Sequence, residues 1–192
     1  MNNLSIGKIL RRNYMNLKGS KTEKCLYKTF AGECRARTKY SLYAEKARCE
    51  GFRWVGEVFD VTSDNEKAHA RETFNRFLKK INTTEENLRE AVLWETEESK
   101  KVYKEFEDIA RKEGFIEIAD FYKELQEVEE KHAETFKKLA DKIKNDKMFK
   151  CEEVILWKCM NCGYIHEGKE APKNCPLCKY PREYFKQYCE VN

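Results

Sequence analysis

Between Leu26 and Ile143 apolar residues return every three or four positions, the period of helices that bury one face. The period breaks at Glu50-Gly51-Phe52, at Ile81-Asn82-Thr83 and at Glu113-Gly114-Phe115, which divides the stretch into four predicted helices. Thr83 and Glu86 stand at capping-box spacing where the third begins, and Gly51 and Gly114 suit helix ends that need a left-handed residue. After Lys144-Asn145-Asp146 the helical period fades. From Trp157 the chain turns to cysteine, glycine, proline and aromatics with little periodicity, the mark of a second, smaller module. Roughly 38 residues are too few to hold a fold by apolar burial alone, so a metal is expected to supply much of that module's stability.

The second and fourth helices repeat each other at a fixed offset of 63 residues. Ala47, Arg48, Glu50, Gly51 and Phe52 return as Ala110, Arg111, Glu113, Gly114 and Phe115, and the same offset carries Tyr40 onto Tyr103, Glu66 onto Glu129 and His69 onto His132. Two related hairpins are implied, and the repeat keeps candidate ligands as well as structural residues.

Glu66 with His69, and Glu129 with His132, each place a carboxylate and an imidazole three residues apart, hence on one helical face and able to grip one metal. Val55, Phe59 and Thr62 lead into the first pair, and Ile118, Phe121 and Leu125 into the second, so both pairs continue an apolar stripe and are expected to point inward. The third helix carries Glu95 and Glu98 inside the run Leu88, Ala91, Val102, Phe106, and the first carries Glu33 in the run Leu26, Phe30, Arg37, Tyr40. Five glutamates and two histidines are thus expected to converge on one core. Burying that many carboxylates uncompensated is prohibitive, whereas two cations neutralise most of the charge. The arrangement is that of di-iron bundles, with one Glu from each of two helices and a Glu-x-x-His from each of the other two. Tyr40 and Tyr103, one or two turns from ligands, are either plain core aromatics or hydroxyl donors to bound oxygen; Trp94 and Trp157 read as packing residues.

Cys159 and Cys162, then Cys175 and Cys178, form two Cys-x-x-Cys knuckles that meet around one ion. The spacing alone leaves iron and zinc open. A di-iron centre beside it favours iron, because four-thiolate iron passes single electrons and zinc does not. Cys25, Cys34, Cys49, Cys151 and Cys189 remain as free thiols, small buried hydrophobes by default. Nine cysteines without a secretory signal fit metal ligation in a reducing compartment better than disulfides.

The chain holds 38 basic against 34 acidic residues, a net +4 spread along its length, which gives no nucleic-acid stripe. No run approaches the roughly 18 apolar residues of a membrane helix. The first 22 residues carry Lys8, Arg11, Arg12, Lys18 and Lys21 and no acid. They read as a flexible leader or an organelle presequence, so the expected location is cytoplasmic, or an organelle matrix if residues 1–16 are a targeting segment.

At Ala31-Gly32-Glu33, at Asp64 to Ala70, at Trp94-Glu95 with Glu98, at Glu129 with His132, and from Trp157 to Pro172, the chain resembles the rubrerythrins over about residues 17–188. The resemblance implies an all-α ferritin-like four-helix bundle at 17–147, a small C-terminal rubredoxin-like metal-bound β/loop domain at 154–192, and a leader or flexible N-terminus at 1–16. It implies a non-haem peroxidase of oxidative-stress defence. An oxo-bridged di-iron pair reduces hydrogen peroxide to water, and a mononuclear iron on four cysteines relays electrons from a redox donor protein or an NAD(P)H-dependent reductase. Residue by residue, it gives Glu33, Glu66, Glu95 and Glu129 as carboxylate ligands and His132 as the fixed imidazole. Glu98 and His69 alternate on one iron with redox state, and Tyr40 and Tyr103 flank the site. Cys34, Arg35 and Trp94 depart from the family pattern and put solvent access in doubt. A ferroxidase or iron-storage protein is the alternative reading, countered by Glu98 and the cysteine module. A zinc-ribbon scaffold is the other, countered by the buried ligands.

One consequence concerns assembly. In ferritin-like bundles the second and third helices run parallel, so their connection must climb the bundle. Helices persisting to about Ile81 and restarting near Thr84 would leave ends far beyond the reach of the few residues between them. The expectation is a homodimer, domain-swapped between the second and third helices, with electrons passing between chains.

Overall fold

A computed structural model describes residues 17–188; the basic leader lies outside the described residues. The first of two compact units, ending at Ile81, is a helical hairpin. Its α1 (Lys21–Cys49) begins where Ser20 accepts from the Glu23 amide at 3.0 Å, and the Glu23 carboxylate accepts from the Gly19 amide at 2.6 Å. Its α2 (Arg53–Arg71) continues as a π-helical stretch, Glu72–Phe77. Between them Gly51 takes φ +87°, and the Phe52 amide reaches back to the Ala47 carbonyl at 2.9 Å, a Schellman-type ending that reverses the chain.

The second unit, from Asn82 onward, opens with the same device. Here α3 (Thr84–Glu97), a π-helical stretch (Glu98–Val102) and α4 (Tyr103–Glu113) form one continuous rod, and α5 (Ile116–Lys144) returns beside it. Gly114 repeats φ +87° and the Phe115 amide repeats the 2.9 Å bond, to Ala110. The capping box at Thr83 and Glu86 is formed as expected. So the described helical part consists of four rods with the anticipated breaks.

Small residues let the rods of each hairpin approach. Ala44, Ala47, Gly56, Ser63 and Ala70 are buried in the first hairpin, and Ala110, Ala119, Ala133 and Ala140 in the second. A β-carbon on Gly56 would meet the Ala44 carbonyl at 3.2 Å and the Arg48 stem at 3.0 Å, so a side chain there would force the neighbours to give way. Larger apolar residues remain open on the other faces.

Three details depart from the sequence expectation. The second rod ends at Phe77, not near Ile81, and leaves six residues from Leu78 to Thr83 outside helix. Leu78, which carried the apolar period onward, is buried as the cap of that rod. Trp94, read as packing, is 60% exposed within its own chain.

The C-terminal module is a three-stranded antiparallel sheet in the order β2-β1-β3, from β1 (Lys150–Cys159), β2 (Ile165–Glu170) and β3 (Phe185–Tyr188). Trp157 is fully buried at its centre beside Ala171 and Phe185, and its indole N–H donates to the Gly168 carbonyl at 2.9 Å. Trp157 is therefore the packing residue it was expected to be. No helix among the described residues is long and apolar enough to cross a membrane.

Candidate metal centres

Each hairpin builds its own triplet of ligands. In the first, α1 supplies Glu33 and α2 supplies Glu66 and His69; in the second, α3 supplies Glu95 and α5 supplies Glu129 and His132. Within each triplet one donor atom from every residue lies within 4.8 Å of the others, close enough to share one ion. The His69 Nδ1 stands 2.9 Å from Glu66 and 3.7 Å from Glu33. The His132 Nδ1 stands 2.7 Å from Glu129 and 3.6 Å from Glu95. The glutamates are largely covered, but the imidazoles of His69 and His132 are 61% and 51% exposed. The ligands thus lie on open hairpin faces. The structure groups six of the seven expected donors into these two triplets.

Each triplet sets two carboxyls against each other, Glu33 with Glu66 and Glu95 with Glu129. The hydrogen bond with Glu66, followed by burial and the Glu66 charge, raises the Glu33 pKa, while the same bond and one from His69 lower that of Glu66. In the second triplet burial, then the hydrogen bond and charge of Glu129, raise the Glu95 pKa, with Glu98 adding to the push. A cation bound between such paired carboxyls would favour their ionised forms. The chemistry of the donor set, two carboxylates and an imidazole per hairpin, fits iron.

Glu98 stands outside both triplets, yet its position has a specific cause. Glu33 and Tyr40 are seven residues apart on regular helix, whereas their counterparts Glu95 and Tyr103 are eight apart and bracket the π-helical stretch. One extra residue is what a π-turn accommodates. The repeat offset is 62 at the Glu95 end and 63 from Tyr103 onward, so the insertion falls where Glu98 sits. Arg35 and Ala36 occupy the corresponding place in α1. The tyrosines differ accordingly. Burial, then the charges of Glu98, Glu129 and Glu95, raise the Tyr103 pKa, which places its hydroxyl in the field of the carboxylates. Tyr40 packs its ring 6.0 Å from Phe59 and 6.4 Å from Tyr43.

The four cysteines converge as their spacing anticipated. Cys159 and Cys178 bring their sulfurs to 3.8 Å, and Cys162 and Cys175 to 3.6 Å. These separations are far beyond a disulfide's roughly 2.05 Å. They match the edge of about 3.8 Å in a tetrahedron of sulfurs near 2.3 Å from a metal. The knuckles have matching backbones: Gly163 amide to Cys159 carbonyl and Lys179 amide to Cys175 carbonyl, each 2.9 Å, with left-handed Gly163 and Lys179. The Asn161 side chain, lying within the first knuckle, was not singled out from sequence; its hydrogen bond heads the causes that lower the Cys178 pKa to about 6. The Tyr164 amide pulls Cys162 down, but burial and hydrogen bonds with the other sulfurs carry it up to about 12. Four sulfurs gathered at these distances fit a single cation.

Fold and sites together define a carboxylate-and-histidine metal protein of the di-iron class joined to a four-thiolate iron module. The family model for rubrerythrin matches residues 24–140, and that for the rubrerythrin rubredoxin-like domain matches residues 157–186. Rubrerythrin of Clostridium perfringens is 42% identical over 92% of this chain and 98% of its own length, and that of Porphyromonas gingivalis is 38% identical over 92% and 96%. A solved structure of nigerythrin in a mixed-valence state covers 97% of this chain and all of its own, at 23% identity and a TM-score of 0.33. The chain belongs to the rubrerythrin family, a family of di-iron oxidoreductases with a rubredoxin-like domain. Iron is accordingly the metal of its carboxylate and histidine sites and of its four-cysteine cluster.

Proposed function

We propose that the protein is a non-haem peroxidase that reduces hydrogen peroxide to two waters, taking up two electrons and two protons per turnover. The observation that carries this reading is the pairing of two Glu-Glu-His triplets with a four-thiolate cluster in one chain. Triplets of hard and borderline donors suit oxygen chemistry, and the thiolate cluster suits one-electron relay.

Glu33, Glu66 and His69 would hold one iron and Glu95, Glu129 and His132 the other, with Glu98 and His69 alternating on the first. When bound, the iron pair would supply the two electrons. Glu98 would offer a carboxylate to the oxidised pair and His69 an imidazole to the reduced one. Tyr103, held in the carboxylate field, offers a hydroxyl hydrogen bond to the substrate oxygen; Tyr40 is its counterpart on the first hairpin. A redox donor protein or NAD(P)H-dependent reductase reloads the four-cysteine iron. Residues 17–147 and 154–192 are read as the two working domains. A reducing compartment, the cytoplasm or an organelle matrix, suits the free cysteines.

The two triplets are to be joined in a homodimer swapped between the second and third rods. With the second rod ending at Phe77, its end lies about 14 Å along the axis from its ligands and Thr84 about 16 Å from Glu95, by helical rise. The connection spans at most about 25 Å fully extended, short of the roughly 30 Å a single-chain bundle needs. The margin is smaller than the sequence alone suggested, because six residues, not two or three, leave the helix.

Reduced, oxygen-free protein mixed with one equivalent of peroxide tests the activity. Prompt reoxidation with one peroxide consumed per two electrons is expected. Iron that stays ferrous with peroxide but oxidises under oxygen would favour the ferroxidase reading.

A further inference from the structure

The knuckle end of the four-cysteine module is apolar at its centre and basic at its rim. Met160 lies inside the first knuckle and Leu177 inside the second, and they are 56% and 66% exposed. The Tyr184 carbonyl accepts from the Met160 amide and the Tyr180 carbonyl from the Cys175 amide, each at 2.7 Å, and the two tyrosine rings meet edge to face at 4.7 Å. These bonds gather four exposed apolar residues at the end where Cys162 is also exposed. Residues 159–166 and 171–182 contain Lys173, Lys179 and Arg182 and neither aspartate nor glutamate. The Lys179 ammonium is held over the second knuckle by donating to the Pro176 carbonyl at 2.8 Å, while Arg182 faces Glu170 at 3.6 Å. Glu183 is the next acid along the chain. The bias is wider than the knuckles: residues 131–188 hold 13 basic against 8 acidic side chains, and residues 17–130 hold 22 against 25.

An apolar centre inside a charged rim is the makeup of a protein-docking surface, and brief redox encounters need little area. A nicotinamide gives up two electrons together as hydride, whereas four-thiolate iron takes one, so the immediate donor is a one-electron carrier. We propose that the knuckle end docks an acidic one-electron carrier protein, with Met160, Leu177 and the two tyrosines under its apolar centre and its carboxylates against Lys173 and Lys179. One electron passes from the reduced carrier to the ferric cluster, leaving an oxidised carrier and ferrous iron, and no bond forms or breaks. This rests on the relay reading of the four-cysteine iron and specifies its donor. Opposite charges steer such an encounter, and salt screens the steering.

The test mixes the full iron-loaded chain with a reduced plant-type ferredoxin, an acidic one-electron protein, and follows bleaching of the iron-thiolate colour. The second-order rate constant is expected to fall about tenfold or more as salt rises from roughly 20 to 200 mM. The double variant Lys173→Glu, Lys179→Gln should react about tenfold more slowly at low salt and lose most of the salt dependence, and Leu177→Ser should be slower at every salt concentration. Reduced riboflavin, small and uncharged, should bleach the parent and the variants alike, which shows that the cluster is intact. Titration of oxidised ferredoxin into protein carrying zinc on its four cysteines gives the dissociation constant directly, and the double variant should weaken it about tenfold. A parent rate that is indifferent to salt or rises with it, or a double variant that binds and reacts like the parent, would overturn the proposal. Salt-sensitive reduction by ferredoxin in a protein that then leaves peroxide untouched would uphold the docking surface and overturn the peroxidase reading instead.

Discussion

The two hairpins of this chain share one plan and differ by one residue in the spacing of their first rods. Both turn through a left-handed glycine with a 2.9 Å bond from the following phenylalanine, both close on buried alanines, and both present two glutamates and a histidine. The second carries an extra residue between Glu95 and Tyr103, absorbed as a π-turn, and Glu98 with it. A duplicated scaffold thus places matching ligand triplets, while a local fault in helical periodicity adds Glu98 to one half alone. The comparison also separates covered ligands from open ones, since in each triplet the carboxylates are tucked between rods and the histidine is not.

The largest expected effect comes from removing equivalent ligands. Glu66→Ala and Glu129→Ala should each lower metal affinity or peroxide turnover by about a hundredfold. Equal losses sharpen the view of two matched metal holders, and a silent variant breaks it. Next comes deletion of Lys101, which should make the α3–α4 rod as regular as α1 and turn Glu98 relative to Tyr103. Peroxide turnover should fall roughly tenfold or more, with the iron-thiolate spectrum unchanged, and Glu98→Ala should match it. Undiminished turnover in both would remove Glu98 from the reaction.

Smaller effects test the scaffold. Gly51→Ala and Gly114→Ala should each destabilise by about 1–2 kcal/mol in denaturant titrations, because both positions are left-handed. Thr83→Ala should cost about 1 kcal/mol through loss of the capping box. The smallest concerns pH. Glu107 is buried where the first hairpin has Ala44, and hydrogen bonds from Gln126 at 3.1 Å and Arg111 at 3.0 Å lower its pKa. A carboxylate with a depressed folded pKa stabilises above its unfolded value of 4.5 and loses that contribution as pH falls through the folded one. Glu107→Gln should therefore lower the melting temperature near neutrality and narrow its gap to the parent protein below pH 4. A constant gap would mean that Glu107 acts by packing alone.

Features set by local chemistry were legible in the sequence. Gly51, Gly114 and the Thr83–Glu86 pair announce helix ends because their stabilisation is made within a few residues. The Glu-x-x-His and Cys-x-x-Cys spacings announce sites because one turn or one knuckle positions both donors. The π-turn at 98–102 was not read, since apolar periodicity averages over several turns and absorbs one extra residue. It was nonetheless present as the change in offset between Glu95 and Tyr103. The end of the second rod was misplaced because Leu78 continues the apolar period while serving as a cap. Trp94 shows the other limit: its place on α3 could be read, but not that its own chain leaves it open.

Iron content of protein purified without oxygen, compared with that of Cys175→Ser and of the Glu66→Ala, Glu129→Ala double variant, tests the central claim most directly. Three irons per chain are predicted for the parent. The cysteine variant should keep two and lose the red iron-thiolate absorption, and the glutamate variant should keep one with its colour intact. A colourless parent holding a single zinc, or a glutamate variant that still holds three irons, would contradict the account.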